Sequence, residues 1–148
     1  MHTLLALAII ALSAAPPAER VKVFVTSATN EQGFTDPSKD KSDTVKDLKN
    51  ALKDKGSVQL TDNKDDATIV LTVLDRKTAG LTAGFLGGAA RDREIHVKFT
   101  CGTFETDMSA SAQGGVMGSG GSWGKAARKI AKQVDEWVVA NRAKLSAR

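Results

Sequence analysis

Three patterns in this sequence predict an α+β domain: one mixed or mostly antiparallel sheet with two helices packed on one of its faces. Short runs of β-branched and apolar residues alternate with polar ones, as in Val21, Val23 and Val25 against Lys22 and Thr26. Two other stretches place apolar residues at three- and four-residue steps, the signature of an amphipathic helix. Two alternating runs meet at Gly102-Thr103, the composition of a tight antiparallel connection. The predicted order is β-α-β-β-β-β-α, and a single sheet carrying both helices on one face is the simplest way to bury two helical stripes.

The first strand covers Arg20 to Ser27, and its second face carries one large apolar group, Phe24. Ala28 to Asp43 is rich in Asn, Gly, Asp, Pro, Ser and Lys, with only Phe34 as a large apolar residue, so an exposed loop is expected there. Asp36-Pro37 has the chemistry to cap a short helical turn inside it. From about Ser42 to Lys55 the residues Val45, Leu48, Ala51 and Leu52 share one helical face, and Gly56 supplies the stop. Val58 and Leu60 form a brief strand, and Thr61 to Asp66 is a turn cluster.

Ala67 to Thr78 is the strongest strand, because Ile69, Leu71 and Val73 line one face while Val70 and Leu74 line the other. A strand apolar on both faces belongs at the centre of a sheet. Ala79 to Asp92 reads as a Gly-rich loop that is nonetheless apolar at Leu81, Phe85 and Leu86. Arg93 to Cys101 and Phe104 to Ala112 then alternate as an antiparallel hairpin. A second Gly-rich tract, Gly114 to Gly124, leads into a long helix whose stripe holds Trp123, Ala126, Ala127, Ile130, Val134, Trp137, Val138 and Leu145.

Leu4 to Leu12 reads LLALAIIAL and runs into Ser13-Ala14-Ala15-Pro16-Pro17, the layout of a secretory signal peptide over residues 1–15. Cleavage after Ala15 is expected, with Ser13 and Ala18 as alternative positions because Pro16 follows Ala15 directly. The apolar run is shorter than the about 20 residues that a membrane span needs, and no cysteine stands at the junction to carry a lipid. The expected mature chain, residues 20–148, is one periplasmic or secreted domain without a transmembrane span.

The formal charge of +4 is spread over mixed signs, and Tyr is absent, so neither a nucleic-acid footprint nor a stacking platform for bases is read. Cys101 has no partner for an internal disulfide. With His96 it forms the one Cys/His pair beyond the leader. Their odd separation on one strand puts them on opposite faces, roughly 16 Å apart at about 3.3 Å per residue. A thiol–imidazole dyad is therefore not expected; Cys101 reads as a small buried hydrophobe and His96 as a solvated strand residue.

Zinc needs three or four ligands at close spacing, and the mature sequence has one His and one Cys. Asp62, Asp65 and Asp66 lack the ligand spacing of a calcium loop and read as a solvated turn. The Gly114 to Gly124 tract fails the phosphate-loop pattern, since Ser119 and Ala126 stand where Gly and Ser or Thr are required. A weak anion site near Ser122, at the start of the last helix, is what remains of that idea. No catalytic, cofactor-binding or metal-binding residue is assigned, and no cofactor is expected.

With both helices on one sheet face, Phe24, Val70 and Leu74 are left on the other. Together with Leu81, Phe85 and Leu86 they are the candidate surface for a partner or a membrane, or else the loop closes over its own sheet as a lid.

The run LKNALKDKGSVQLTDNKDDATIVLTVLDRK, a helix ending at Gly, a short strand and an acidic lead-in to a long apolar strand, resembles the β-α-β half of small bacterial envelope modules. TolB-type amino-terminal domains and penicillin-binding-protein activator lipoproteins are of this kind. The likeness covers about the first half of the mature chain; it implies a periplasmic, non-enzymatic binding role and carries over no binding residue. This chain lacks the lipid-bearing cysteine of the lipoproteins. The expected function is an exported binding or assembly module of the bacterial envelope or extracellular space. Its partner is an envelope or extracellular protein or a second copy, with no nucleic acid; membrane-surface contact has no residue pattern behind it. The competing expectation is a small secreted hydrolase using carboxylates that the sequence does not single out.

Overall fold

Residue parity decides which side of the sheet is closed. The computed structural model describes residues 19–83, 89–112 and 123–146, with the backbone alone for 79–83 and 89–92. The elements in chain order are β1 (Val21–Ser27), α1 (Pro37–Lys53), β2 (Val58–Leu60), β3 (Ile69–Ala83), β4 (Ala89–Cys101), β5 (Phe104–Ala112) and α2 (Trp123–Leu145). The strands form one sheet in the order β2-β1-β3-β4-β5. β1 runs parallel to β2 and β3, whereas β3-β4 and β4-β5 are antiparallel, so the sheet is mixed. The expected fold class and element order are what the structure has, with the doubly apolar β3 third of five.

Val23 and Val25, Ile69, Leu71 and Val73, and Ile95, Val97 and Phe99 share one face and are closed to solvent. Leu48 and Leu52 of α1 and Ile130, Val134 and Val138 of α2 pack into the same core. Each such side chain contributes about 1.5–3 kcal/mol by leaving water. Cys101 belongs to this core at 2% exposure. Ser57, at the lead-in to β2, donates its hydroxyl proton to Asp135 Oδ1 and so ties α2 to the parallel side of the sheet.

Two boundaries differ from the sequence expectation. The polar stretch before Ser42 is loop only as far as Asp36: α1 begins at Pro37, with Asp36 as the expected cap, accepting from Lys39 N at 3.3 Å, and opening the full helix and not a short turn. Asp40 Oδ2 in turn accepts from Thr35 N and Asp36 N, each at 3.1 Å. This reciprocal capping starts the helix in a segment whose outward turns have no apolar residue to announce them. The segment read as a Gly-rich loop is also largely strand. β3 continues to Ala83 and β4 starts at Ala89, with Ala79 opposite Asp92 and Leu81 opposite Arg91. Ladder hydrogen bonding carries β3 past Gly80, which a register shift between Ala79 and Leu81 leaves over. Phe85, Leu86 and Ser122 lie outside the described residues, as do residues 1–18.

A second irregularity matters more. Val73 is opposite Val97, but Asp75 is opposite His96, so Leu74 is an extra residue in β3. The bulge inverts the parity of the residues beyond it: Asp75 joins the outer face, and Arg76, opposite Ile95, turns towards the helices. The loop after β1 seals the other side of the bulge. Ala28 N donates to Val73 O at 2.8 Å, and Arg76 N to Gly33 O at 3.1 Å. Gly33 has φ +88°, and a Cβ there would lie 2.5 Å from Asp75 Cβ. At the other end of the sheet, α2 reaches over β5: Lys129 Nζ donates to Ser111 O at 2.7 Å and Gln133 Nε2 to Ser109 O at 3.2 Å.

Gly33→Ala meets both a left-handed backbone and a steric overlap, so it is expected to destabilise the fold by about 1–3 kcal/mol. Urea unfolding measures this, and an unchanged midpoint would show that the loop does not anchor the bulge.

Candidate functional site

The outer face of the sheet is where the uncommitted residues gather, because both helices occupy the other side. Its rows follow from the registers. Phe24 lies beside Val70, which faces Thr100; Thr26 lies beside Thr72, which faces Lys98; Asp75 faces His96, which faces Ser109. Phe24, Val70 and Leu74 are all half-buried on this face. The structure thus brings these three candidate residues onto one surface. Leu81 is in β3 with its backbone alone described, so its side chain is not placed with them.

Next to the apolar patch lies an ionic cluster that the sequence did not reveal. His96 Nδ1 is 2.6 Å from Asp75 Oδ1, and His96 Nε2 is 3.1 Å from Glu94 Oε1. Asp75 Oδ2 also meets Lys77 Nζ at 3.0 Å. A neutral imidazole has one N–H, so the ring donates to both carboxylates only when it carries both protons. With each nitrogen facing a carboxylate, His96 is not presented to the Ser109 hydroxyl as a base, although the two residues are cross-strand neighbours. Cys101 is buried on the opposite face, as its parity predicts. Leu74, Asp75, His96, Asp107, Met108 and Ser109 line a shallow cleft of about 310 Å³ here. Among the described residues no cluster of three or more His, Cys, Asp or Glu side chains is arranged to hold a metal. The Glu94-x-His96 spacing was visible in the sequence, but Asp75 joins them only through the bulge.

The second cluster is the bulge's other product, on the helix side. Arg76, with its side chain 10% exposed, donates from Nη1 to Asp40 O at 3.3 Å and to Thr44 Oγ1 at 3.5 Å, and Asp40 Oδ1 stands 3.7 Å away. Its guanidinium lies 4.0 Å from the Trp123 ring centroid, with that of Arg93 at 5.4 Å. Burial is the main influence on both charged partners. It lowers the proton affinity of Arg76, opposed by Asp40, Asp43 and Asp47. It lifts the Asp47 carboxyl above its ordinary value against the pull of the Arg76 charge.

Fold and surface define a small mixed-sheet α+β module with one helix-covered face. No protein-family model matches the chain, and no curated protein matches it. Among solved structures it is similar to the hypothetical protein CT253 from Chlamydia trachomatis, at 12% identity over 83% of this chain and all of that one, with a TM-score of 0.52. It also matches the PelC dodecamer from Paraburkholderia phytofirmans, at 16% identity over 83% of this chain and 93% of that one, with a TM-score of 0.48. At these identities the likeness to CT253 is one of fold. Among the described residues no helix is long and apolar enough to cross a membrane.

A carboxyl with a raised native pKa binds its proton more tightly when folded. Stability therefore falls as pH rises from the ordinary carboxylate value through the raised one, and the loss is complete above it. Asp47→Asn is expected to stabilise the chain at pH 7 and to give no such gain at pH values below the ordinary carboxylate range. Urea titrations at the two pH values check this, and an equal effect at both would remove the ionisation as its cause.

Proposed function

We propose that this chain is an exported, non-enzymatic binding or assembly module of the bacterial envelope or extracellular space. Its working surface in this reading is the outer sheet face, which docks an envelope or extracellular protein or a second copy of the chain. The observation that carries the reading is the segregation of the two faces. The helices bury Val23, Ile69, Leu71, Ile95, Val97 and Phe99 on one side, while Phe24, Val70 and Leu74 form a half-buried apolar patch on the side no described helix covers. Apolar side chains grouped on an uncovered surface favour association, because contact removes them from water. The leader-like start of the sequence supports export. The His96 cluster supports a non-catalytic role, since its imidazole is engaged by carboxylates at both nitrogens.

Replacing Phe24 and Val70 together with Ser tests the reading. Sedimentation of the purified chain and capture of envelope proteins by it are expected to lose a specific association, while the unfolding midpoint moves little because both side chains are only half-buried. A large fall in stability with association intact would mean that the patch belongs to the chain's own packing. Turnover of an esterase, glycosidase or peptidase substrate, abolished by one Asp or Glu change, would replace the binding reading with the hydrolase.

A further inference from the structure

The cleft at the start of α2 combines two features that independently call for an anion. The first is the helix end itself. α2 is 23 residues long and has no acidic residue in its first turn, so the partial positive charge of its leading N–H groups is not offset by a side chain there. The second is Arg76. Its side chain is nine-tenths buried, and its Nε, wholly covered, has no hydrogen-bond partner among the described residues. A charged donor left unpaired in a buried position is costly, and a native fold ordinarily supplies an acceptor.

Arg76 and Arg93 both line a cleft of about 420 Å³ whose other walls include Trp123 and Gly124, the first two residues of α2. Lys46 adds a third cation, and Asp43 and Asp47 stand on the α1 side. We propose that this cleft binds a carboxylate group, held by the Arg76 and Arg93 guanidinium groups and the leading N–H groups of α2. The Nη1 bonds of Arg76 to Asp40 O and Thr44 Oγ1 leave the Nε edge of the fork for the incoming oxygen.

The choice of a carboxylate over a phosphate follows from the charges around the cleft. Arg76, Arg93 and Lys46 stand against Asp40, Asp43 and Asp47, so the local charge is close to balanced. A planar singly charged carboxylate matches the free edge of the guanidinium fork, whereas a doubly charged phosphate costs more to desolvate with no net positive field to offset it. Because Nε is covered and the Trp123 ring lies against the guanidinium, pairing at Nε shifts that ring. Binding is therefore visible at two named groups. The carboxylate has two sources, a free small organic acid or the C-terminus of a peptide, and both present the same group.

Titrations of the full chain followed by NMR of the Arg76 Nε–H and Trp123 indole N–H resonances separate the outcomes. The probes are acetate, a short uncharged-side-chain peptide with a free C-terminus, the same peptide amidated, and inorganic phosphate, at constant ionic strength. Saturable shifts of both resonances with acetate or the free peptide are expected, with the amidated peptide silent and phosphate weaker. Tighter binding of the free peptide than of acetate assigns the source to a chain terminus, and equal binding assigns it to a free acid. Arg93→Gln, at the cleft wall, is expected to weaken binding about tenfold or more with the fold intact, as judged by the unchanged remainder of the spectrum. Absence of saturation with both carboxylate probes, phosphate binding as tightly as acetate, or an unaltered affinity in Arg93→Gln would each overturn the proposal. Arg76→Lys provides a second check: it retains the charge but removes the Nε donor, so unchanged binding in a folded variant also overturns it.

Discussion

One extra residue in β3 organises the molecule's polar chemistry. Up to Val73 the strand alternates in phase with its neighbours, and had that phase continued, Asp75 would have pointed into the core and Arg76 to the outside. The insertion of Leu74 exchanges them. The acid reaches the outer face, where His96 and Lys77 meet it, and the guanidinium passes beneath α1 to Asp40 and Thr44. The exchange requires a backbone that fills the gap left beside β1, and the Gly33 carbonyl supplies the acceptor for the Arg76 amide. A side chain at position 33 would occupy the space that Asp75 needs. Bulge, loop and both ionic clusters are thus one coupled arrangement.

Its consequences reach the helices. α1 positions Asp40 to serve its own N-terminus through Oδ2 while its main-chain carbonyl receives Arg76. Thr44, fully buried, closes the same corner by donating to Asp40 O at 2.7 Å. Trp123, the first residue of α2, lies against the other side of the guanidinium. The two helices are therefore joined near their starts by a charged and aromatic contact, and further along by apolar packing.

Much of this was legible in the sequence where periodicity carries information. The strand parity of Ile95, Val97, Phe99 and Cys101 and the α2 stripe from Ala126 to Val138 depend on repeating burial, and they appear as read. The α1 start was misplaced although its cap at Asp36-Pro37 was read: the polar residues from Ser38 to Lys41 carry no apolar period that would join that cap to the helix. The outer length of the β3-β4 hairpin was missed because glycine composition was weighed above the continuing ladder. Of the candidate surface, Phe24 and Val70 follow simple alternation. The Asp75–His96 and Arg76–Trp123 contacts do not, since a single inserted residue leaves no periodic trace.

The two bonds from α2 to the carbonyls of Ser109 and Ser111 bear on how copies of this domain can meet. A foreign strand arriving at β5 finds acceptors already occupied and must displace Lys129 and Gln133 before it forms a ladder. Among the described strands, the opposite margin is β2, only three residues long, which offers little length for templating. Open-ended growth by strand stacking is thereby discouraged at both margins of the described sheet.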